Sequence, residues 1–137
     1  DMIRNIGPVP LEELSAVYAR ADALFMPTLL ESFSGAYVEA MSFRKTILTS
    51  DRDFAREICS EAAFYFDPLD VDSIIEAIEA AFSDEAERSR RIALGTSVLA
   101  AIPDWSMAYQ AFMELLSEQC SESLLLPSKQ QLQANRR

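Results

Sequence analysis

The stretch ALFMPTLLESFSGAYVEAM, residues 23–41, carries the pattern that decides the fold. Its first four residues are apolar without alternation and are stopped by Pro27, which is typical of a strand buried on both faces of a parallel sheet. The small residues Ser34 and Gly35 then open a segment that we predict to be helical over residues 34–43. One carboxylate, Glu31, precedes this helix, and a second, Glu39, lies inside it.

Outward from this stretch, short apolar runs alternate with segments of helical periodicity. We predict four parallel strands, over residues 3–6, 23–26, 46–49 and 63–66. Predicted helices over residues 11–21, 34–43, 54–59 and 71–82 separate and follow them. Strands of this length joined by helices indicate βαβ units and an α/β fold with a Rossmann-like, doubly wound parallel sheet flanked by helices.

The last third of the chain is predicted to be helical. Asp70 is placed to cap the helix over residues 71–82, whose buried stripe would be Val71, Ile74, Ile75, Ile78 and Phe82. A helix over residues 84–102 is expected to be interrupted near Gly95, and an amphipathic helix follows over residues 104–120. Its inward side chains would be Trp105, Ala108, Tyr109, Phe112, Leu115 and Leu116, and we assign Phe25, Tyr65 and Phe112 to the core.

Composition limits the function. The 137 residues suit one domain, half of them are apolar, and 22 acidic against 12 basic residues give a net charge of −10. This charge argues against nucleic acid as a partner, because phosphate contacts need clustered Lys and Arg. The absence of histidine excludes imidazole catalysis and His-ligated metals.

Two distant cysteines without a CxxC spacing, Cys59 and Cys120, indicate reduced thiols and a cytoplasmic protein. We expect Cys59 to be a small buried residue and not a nucleophile. No signal peptide is visible, and the start at Asp1 without an initiator Met suggests a piece of a longer protein. We expect residues 1–118 to be a partial domain and residues 119–137 a flexible polar tail.

The region around the two glutamates is a candidate ligand site. In a parallel α/β sheet, ligands bind at the carboxyl ends of strands, where Glu31 is predicted to lie. Free N–H groups beside Ser34 and Gly35 would suit a diphosphate, and Glu39 could accept hydrogen bonds from two vicinal hydroxyls, as in a ribose. These positions predict a nucleotide-sugar. Alternatively, two glutamates near a helix start arise by chance in an acidic chain and only complement the helix dipole.

A family resemblance bears on this choice. The pattern Pro-Thr, two apolar residues, Glu-Ser-Phe-Ser-Gly, three residues, Glu-Ala-Met resembles the signature of retaining GT-B glycosyltransferases of the glycogen-synthase-like group, glycosyltransferase family 4. That signature, two glutamates separated by seven residues, belongs to the C-terminal, donor-binding domain. The flanking segments GPVPLEELSAVYARADALFMPT, TILTSD and EICSEAAFYFDPLDVDSIIEAI fit in order, so the resemblance spans residues 6–82 and, more loosely, a closing helix at DWSMAYQAF.

The resemblance implies a role for each motif position. Glu31 would contact the donor sugar or the neighbourhood of its phosphate and take the catalytic position, and Glu39 would hold the ribose hydroxyls. Phe33, Ser34 and Gly35 would offer backbone amides to the sugar hydroxyls and the diphosphate. It further implies metal-independent transfer of a hexose, with no cofactor and with retention of configuration, in polysaccharide biosynthesis. Stabilisation of the leaving diphosphate would be the main contribution of the protein.

It also implies what lies outside this chain. The acceptor, a glycan or a lipid-linked glycan, would bind a domain that is missing here, in a parent located in the cytoplasm or at the inner face of the membrane. The basic pair that neutralises the diphosphate would also lie upstream, so we expect this chain alone to be inactive. The turn over residues 7–9 would lie near the nucleotide base.

One departure from the family pattern keeps another interpretation open. The family has a Gly-x-Pro turn after the motif helix, where this sequence has Arg44-Lys45-Thr46, which predicts a strained or different helix end. A non-catalytic α/β interaction module is therefore the alternative, whereas a flavodoxin-like domain is disfavoured because no acidic cluster follows the first strand. An open apolar sheet edge would also favour self-association of the isolated chain.

Overall fold

The computed structural model describes residues 2–123, and side chains up to residue 119. The chain divides into two compact units, Asp1–Ala101 and Ile102–Arg137. The first holds all the strands of the described part, and the second holds one described helix. The predicted division at residue 118 stays a prediction, and residues 124–137 of the predicted tail lie outside the described residues.

The secondary-structure elements follow the predicted alternation. The strands are β1 (Ala23–Met26), β2 (Thr46–Ser50) and β3 (Ala63–Phe66). The helices are α1 (Leu14–Arg20), α2 (Gly35–Ser42), α3 (Asp53–Cys59), α4 (Val71–Ser83), α5 (Glu85–Ala101) and α6 (Trp105–Ser123), with 3-10 turns at Leu11–Glu13 and Ser60–Ala62.

The sheet is parallel, with strand order β1-β2-β3. Ala23 is paired with Thr46 on β2, and Ile47 is paired with Ala63 on β3, so each connection must return along the sheet through a helix. Every residue of β2 is buried. The predicted α/β, Rossmann-like fold with a helical C-terminal third is confirmed.

The strand predicted over residues 3–6 was wrong. In the described residues the sheet has three strands, and Ile3 and Ile6 are exposed. The side chain of Asn5 instead accepts a hydrogen bond from the N–H of Gly7 at 2.8 Å, and Gly7 has a positive φ of 70°. Without a neighbouring strand to pair with, this local turn satisfies the backbone better than an extended segment does.

The two faces of the sheet are covered unequally. One face carries the larger core, to which α1, α2 and α3 contribute and against which α5 packs. The other carries a smaller cluster in which Leu48, Phe64 and Phe66 meet α4. Phe25 stacks on Phe66 with ring centroids 5.2 Å apart but stays 44% exposed, so its assignment to the core was wrong, whereas Tyr65 is half-buried.

The buried face of α4 differs from the predicted stripe. Asp70 caps the helix as predicted, accepting from the N–H of Asp72 at 3.0 Å. However, Ala77 and Ala81 are the buried residues, with Ile74 partly buried beside them. The small alanines let the helix approach the sheet closely, which turns the bulkier flank outward. The predicted stripe residues Val71, Ile75, Ile78 and Phe82 are exposed.

The expected interruption at Gly95 was also wrong, because α5 is continuous. Gly95 is buried where α5 crosses α2, and a Cβ atom added there would lie 3.2 Å from Cγ of Met41. The glycine therefore serves a close helix–helix contact and does not break the helix.

In the second unit, α6 forms where an amphipathic helix was predicted and continues to Ser123. Its predicted inward side chains are exposed, Trp105 to 91% and Phe112 also, so that assignment was wrong. Within its own unit, no second described element is present to cover the apolar stripe. No helix in the described part of the chain has the length and apolar character needed to span a bilayer.

Candidate functional site

The candidate site lies where β1 ends and α2 begins. Ser34 is the N-cap residue of α2, with φ −91° and ψ 114°, and its side chain makes no capping hydrogen bond. Its hydroxyl instead contacts Sδ of Met26, the last residue of β1, at 3.9 Å. The first turn of α2 contains no acidic residue. The N–H groups at this helix start are therefore left without a side-chain acceptor, an arrangement that can bind an anion.

The loop before α2 carries Glu31 and Phe33. Glu31 is partly buried and makes no hydrogen bond or ion pair with any residue of the described chain. The pKa of Tyr37 on α2 is raised, mainly by burial and to a smaller extent by the nearby Cys59 and by the charge of Glu31. Phe33 is 63% exposed and Gly35 is also exposed, so the backbone between them is accessible.

Glu39 is held by a partner that sequence reasoning missed. The hydroxyl of Tyr18, on α1, donates a hydrogen bond to Oε2 of Glu39 at 3.0 Å. Burial, followed by this hydrogen bond and the charge of Glu39, raises the pKa of Tyr18 to about 12. Helical periodicity over residues 11–21 places Tyr18 on the same face as the apolar residues Leu14 and Val17. The available signal was that it is the one hydroxyl-bearing side chain on that face, and a buried hydroxyl needs an acceptor.

A buried polar network lies between α2 and the ends of β1 and β2. The hydroxyls of Tyr37 and Thr49 lie 2.7 Å apart, and the hydroxyls of Thr49 and Ser50 both reach the carbonyl oxygen of Met26, at 3.3 and 3.4 Å. This network ties α2 to the carboxyl ends of β1 and β2. In the same loop, Oγ1 of Thr28 is buried and has no hydrogen-bond partner.

The structure thus places Ser34 and Gly35 at the helix start, with Glu31 and Phe33 in the loop before it and Glu39 one turn into the helix, against α1. Glu31 and Phe33 lie in the loop that follows the carboxyl end of β1, Ser34 and Gly35 begin α2, and Glu39 lies inside that helix, in the order that the sequence predicted. Their roles toward a donor stay predictions.

The C-terminal end of α2 is closed. The N–H of Lys45 donates to the carbonyl of Ala40 at 2.8 Å and the N–H of Arg44 to that of Met41 at 3.0 Å, the two bonds of a Schellman motif. This motif requires a left-handed residue, and Arg44 takes that conformation with φ 53°. The strained helix end expected from the missing glycine is confirmed.

Other ionisable groups have structural partners. Asp51 accepts two hydrogen bonds from Arg56, at 2.7 and 2.9 Å, which lower its pKa. Cys59 is fully buried, as predicted, and burial raises the pKa of its thiol to about 12. In residues 2–123, no group of three or more acidic or cysteine side chains could hold a metal ion.

A groove of about 380 Å³ lies apart from the candidate site, beside β3. Its arginines stack on aromatic rings, Arg56 at 3.7 Å from the Tyr65 centroid and Arg91 at 4.5 Å from that of Phe64. Both are also paired with carboxylates, those of Asp51 and Glu87. These contacts satisfy the guanidinium groups, so the groove offers no free cation to a ligand.

The parallel sheet flanked by helices defines a Rossmann-like α/β domain, a class in which ligands bind at the carboxyl ends of the strands. More specifically, the chain belongs to the family Glycosyl transferases group 1, whose sequence model matches residues 1–97.

Two relatives are enzymes of O-antigen synthesis by name. The chain is 33% identical to O-antigen chain mannosyltransferase B of Escherichia coli over 93 residues, which are 68% of this chain and 24% of that protein. It is 30% identical to O-antigen chain mannosyltransferase RfbU of Salmonella typhimurium over 79 residues, 58% of this chain and 22% of that protein. The chain therefore spans less than a quarter of the length of these relatives.

Among solved structures, sucrose-phosphate synthase from Thermosynechococcus elongatus matches with a TM-score of 0.70 and 22% identity. The match covers 86% of this chain and 30% of the synthase. At this identity the likeness shows the GT-B fold alone.

Proposed function

We propose that this chain is part of the donor-binding domain of a retaining glycosyltransferase that moves a hexose from a nucleotide-sugar to a glycan or a lipid-linked glycan. The observation that carries the proposal is the uncapped start of α2, with Ser34 as a cap residue that makes no capping bond. Family membership and the two mannosyltransferase relatives support it, and they make mannose the first hexose to test.

In this proposal the helix start binds the donor diphosphate. The N–H groups of Gly35 and Ala36 point toward the leaving group, where their dipoles stabilise the charge that develops as the glycosidic bond breaks. Glu31 lies beside the sugar and Glu39 accepts hydrogen bonds from the ribose hydroxyls. No metal or cofactor is part of the proposal.

Charge balance requires cations from elsewhere. Glu31 and Glu39 both repel a diphosphate, and the nearest basic pair in sequence, Arg44 and Lys45, follows the other end of α2. An eight-residue helix is roughly 12 Å long, so this pair is too far to neutralise the leaving group. We therefore propose that the neutralising cations and the acceptor site belong to another part of the enzyme, and that this chain alone binds a donor weakly and does not turn it over.

A matched pair of variants at Gly35 tests the proposal. Gly35 is the first residue of α2, a position that tolerates proline, and the extended conformation of Ser34 is the one that proline requires before it. Gly35→Pro removes one N–H and keeps the helix, whereas Gly35→Ala keeps the N–H and adds a methyl group with nothing within 4 Å. Both variants should melt close to wild type.

The measurement is an NMR titration of the ¹⁵N-labelled chain with UDP and with GDP. We expect shifts at Phe33 and Ala36, and binding roughly tenfold weaker in Gly35→Pro than in Gly35→Ala, since one charge-assisted bond is lost. Glu61→Ala, in the groove beside β3, is the control that should bind like wild type. If neither nucleotide shifts these amides, or if Gly35→Pro binds as well as Gly35→Ala, the donor site is wrong and the non-catalytic interaction module is favoured.

A further inference from the structure

We infer that Tyr18 is a positioning residue that orients the carboxylate of Glu39 for the ribose hydroxyls of the donor. This inference rests on the proposed function and adds to it a residue from outside the motif, on a different helix. It concerns the specificity of the site for a ribonucleotide.

Contacts at both ends of the side chain fix Tyr18. Its hydroxyl donates to Oε2 of Glu39 at 3.0 Å and lies 3.5 Å from the carbonyl of Ala36, one turn earlier in α2. Its ring stacks on Phe43, with centroids 4.9 Å apart and an interplanar angle of 11°. Phe43 follows the last residue of α2, so the ring is held beside the end of that helix while the hydroxyl reaches the turn that carries Glu39.

This contact limits the motion of Glu39. A glutamate on a helix surface samples several rotamers and loses that freedom when it binds a ligand. Tyr18 is only 9% exposed, so its side chain has little room to move. Its hydrogen bond to Oε2 therefore restricts the rotamers of Glu39 and, with them, the position of the second carboxylate oxygen, Oε1. Two vicinal hydroxyls then meet an acceptor that is already ordered, which lowers the entropic cost of binding them.

The protonation state of Tyr18 suits a permanent hydrogen-bond donor. Its pKa, raised to about 12 mainly by burial, keeps the phenol protonated at every pH at which a nucleotide titration is run. The phenol of Tyr18 therefore remains a hydrogen-bond donor to Glu39 during the titration.

The test is the preference for a ribonucleotide over its 2′-deoxy analogue, measured as the ratio of the Kd values of 2′-deoxy-UDP and UDP, or of the corresponding guanosine pair, by NMR titration. Wild type should bind the ribonucleotide more tightly. Tyr18→Phe, which keeps the ring and its stacking, should lower this ratio by roughly fivefold, the effect of losing one ordering hydrogen bond. In a Glu39→Ala background, Tyr18→Phe should change the ratio no further.

The matched control is Tyr65→Phe, which removes a half-buried hydroxyl on β3 that donates to the carbonyl of Ser60 at 2.6 Å and does not contact Glu39. It should lower the melting temperature and leave the ratio unchanged. If Tyr18→Phe weakens both nucleotides equally, or acts as strongly without Glu39, the positioning role is overturned while the donor site stands. If wild type binds both nucleotides equally, the ribose assignment of Glu39 fails and this inference fails with it.

Discussion

The two ends of α2 treat their backbone groups in opposite ways. At the C-terminal end, the carbonyls of Ala40 and Met41 are satisfied by a Schellman motif, although this forces Arg44 to a φ of 53°. At the N-terminal end, Ser34 has a relaxed backbone and makes no capping bond. The C-terminal end of α2 is therefore hydrogen-bonded at the cost of backbone strain, whereas the N-terminal end is unstrained and lacks a side-chain cap. The loop that leads to this open end also contains the buried Thr28 hydroxyl, which has no hydrogen-bond partner, and we predict that the open end is the one a ligand occupies.

The largest expected effect is at the open end. Glu39→Ala should weaken nucleoside diphosphate binding by roughly ten- to a hundredfold, since it removes charge-assisted hydrogen bonds worth about 1.5–3 kcal/mol. The helix should persist, because alanine is the best helix former. Calorimetry or NMR titration with UDP and GDP measures the affinity, and thermal melts report the fold.

Glu31→Ala is the contrast to this variant, since its proposed partner is the sugar. It should bind a free nucleoside diphosphate like wild type or slightly better, because one repulsive charge is removed. If Glu39→Ala binds the nucleoside diphosphate with wild-type affinity, Glu39 does not bind the ribose and is only a helix carboxylate that pairs with Tyr18.

The second effect concerns the loop before α2. Thr28→Val keeps the shape of the side chain and removes the buried hydroxyl that lacks a partner, so the free energy of unfolding should rise by about 1 kcal/mol. Chemical denaturation measures the change. A loss of stability would show that the hydroxyl is satisfied by water, and the contrast between the two ends of α2 would then rest on Ser34 alone.

The third effect is at the closed end. A left-handed conformation costs an L-residue roughly 1–2 kcal/mol, and glycine avoids this cost but loses about 0.5–1 kcal/mol through the unfolded chain. Arg44→Gly should therefore stabilise the fold by roughly 0.5–1 kcal/mol and raise the melting temperature by a few degrees. Arg44→Ala, which removes the charge and keeps the strain, is the control. An equal gain in both variants would assign the effect to charge.

The smallest expected effect concerns the ion pairs of Glu87 on α5, which show how much a surface charge contributes to the stability of this fold. Hydrogen bonds from Arg90 and Arg91 lower the pKa of Glu87 from 4.5 to about 2. Because this pKa is depressed in the folded state, the contribution is present above pH 4.5 and is lost as the pH falls toward 2. It should be small, since both pairs lie at the surface and remain in contact with water. Denaturation at pH 2 to 5 should give a shallower slope for Glu87→Gln, and an unchanged slope would mean that the pairs do not form in solution.

Elements whose signal is local were predicted correctly from the sequence. The strand at Thr46–Ser50 follows from a short run rich in β-branched residues, and Asp70 caps α4 through a contact two residues away. The backbone of Arg44 also followed from local chemistry, because a Schellman end needs a left-handed residue whatever its side chain.

Features that depend on a distant neighbour were not predictable in the same way. The segment over residues 3–6 has the composition of a strand, but no strand lies beside it to pair with. The exposure of Ile75 on α4 depends on how closely Ala77 of the same helix packs against the sheet. In the candidate site, the motif predicted where Glu39 lies but not its contact with Tyr18, which joins two helices across twenty-one positions. Helical periodicity places a tyrosine on an inner face, but it carries no information about the acceptor that its hydroxyl finds there.

The close crossing at Gly95 has a consequence for synthesis on the ribosome. Gly95, which packs closely against Met41 of α2, lies in α5, after the three strands of the described part of the chain. A nascent chain that has already exposed Tyr18, Ser34 and Glu39 must therefore wait for α5 to emerge before its helix is secured. During that interval we expect the side chain of Met41 to be exposed and available to chaperones. The candidate site should then reach its final structure, and bind a ligand, only late in translation.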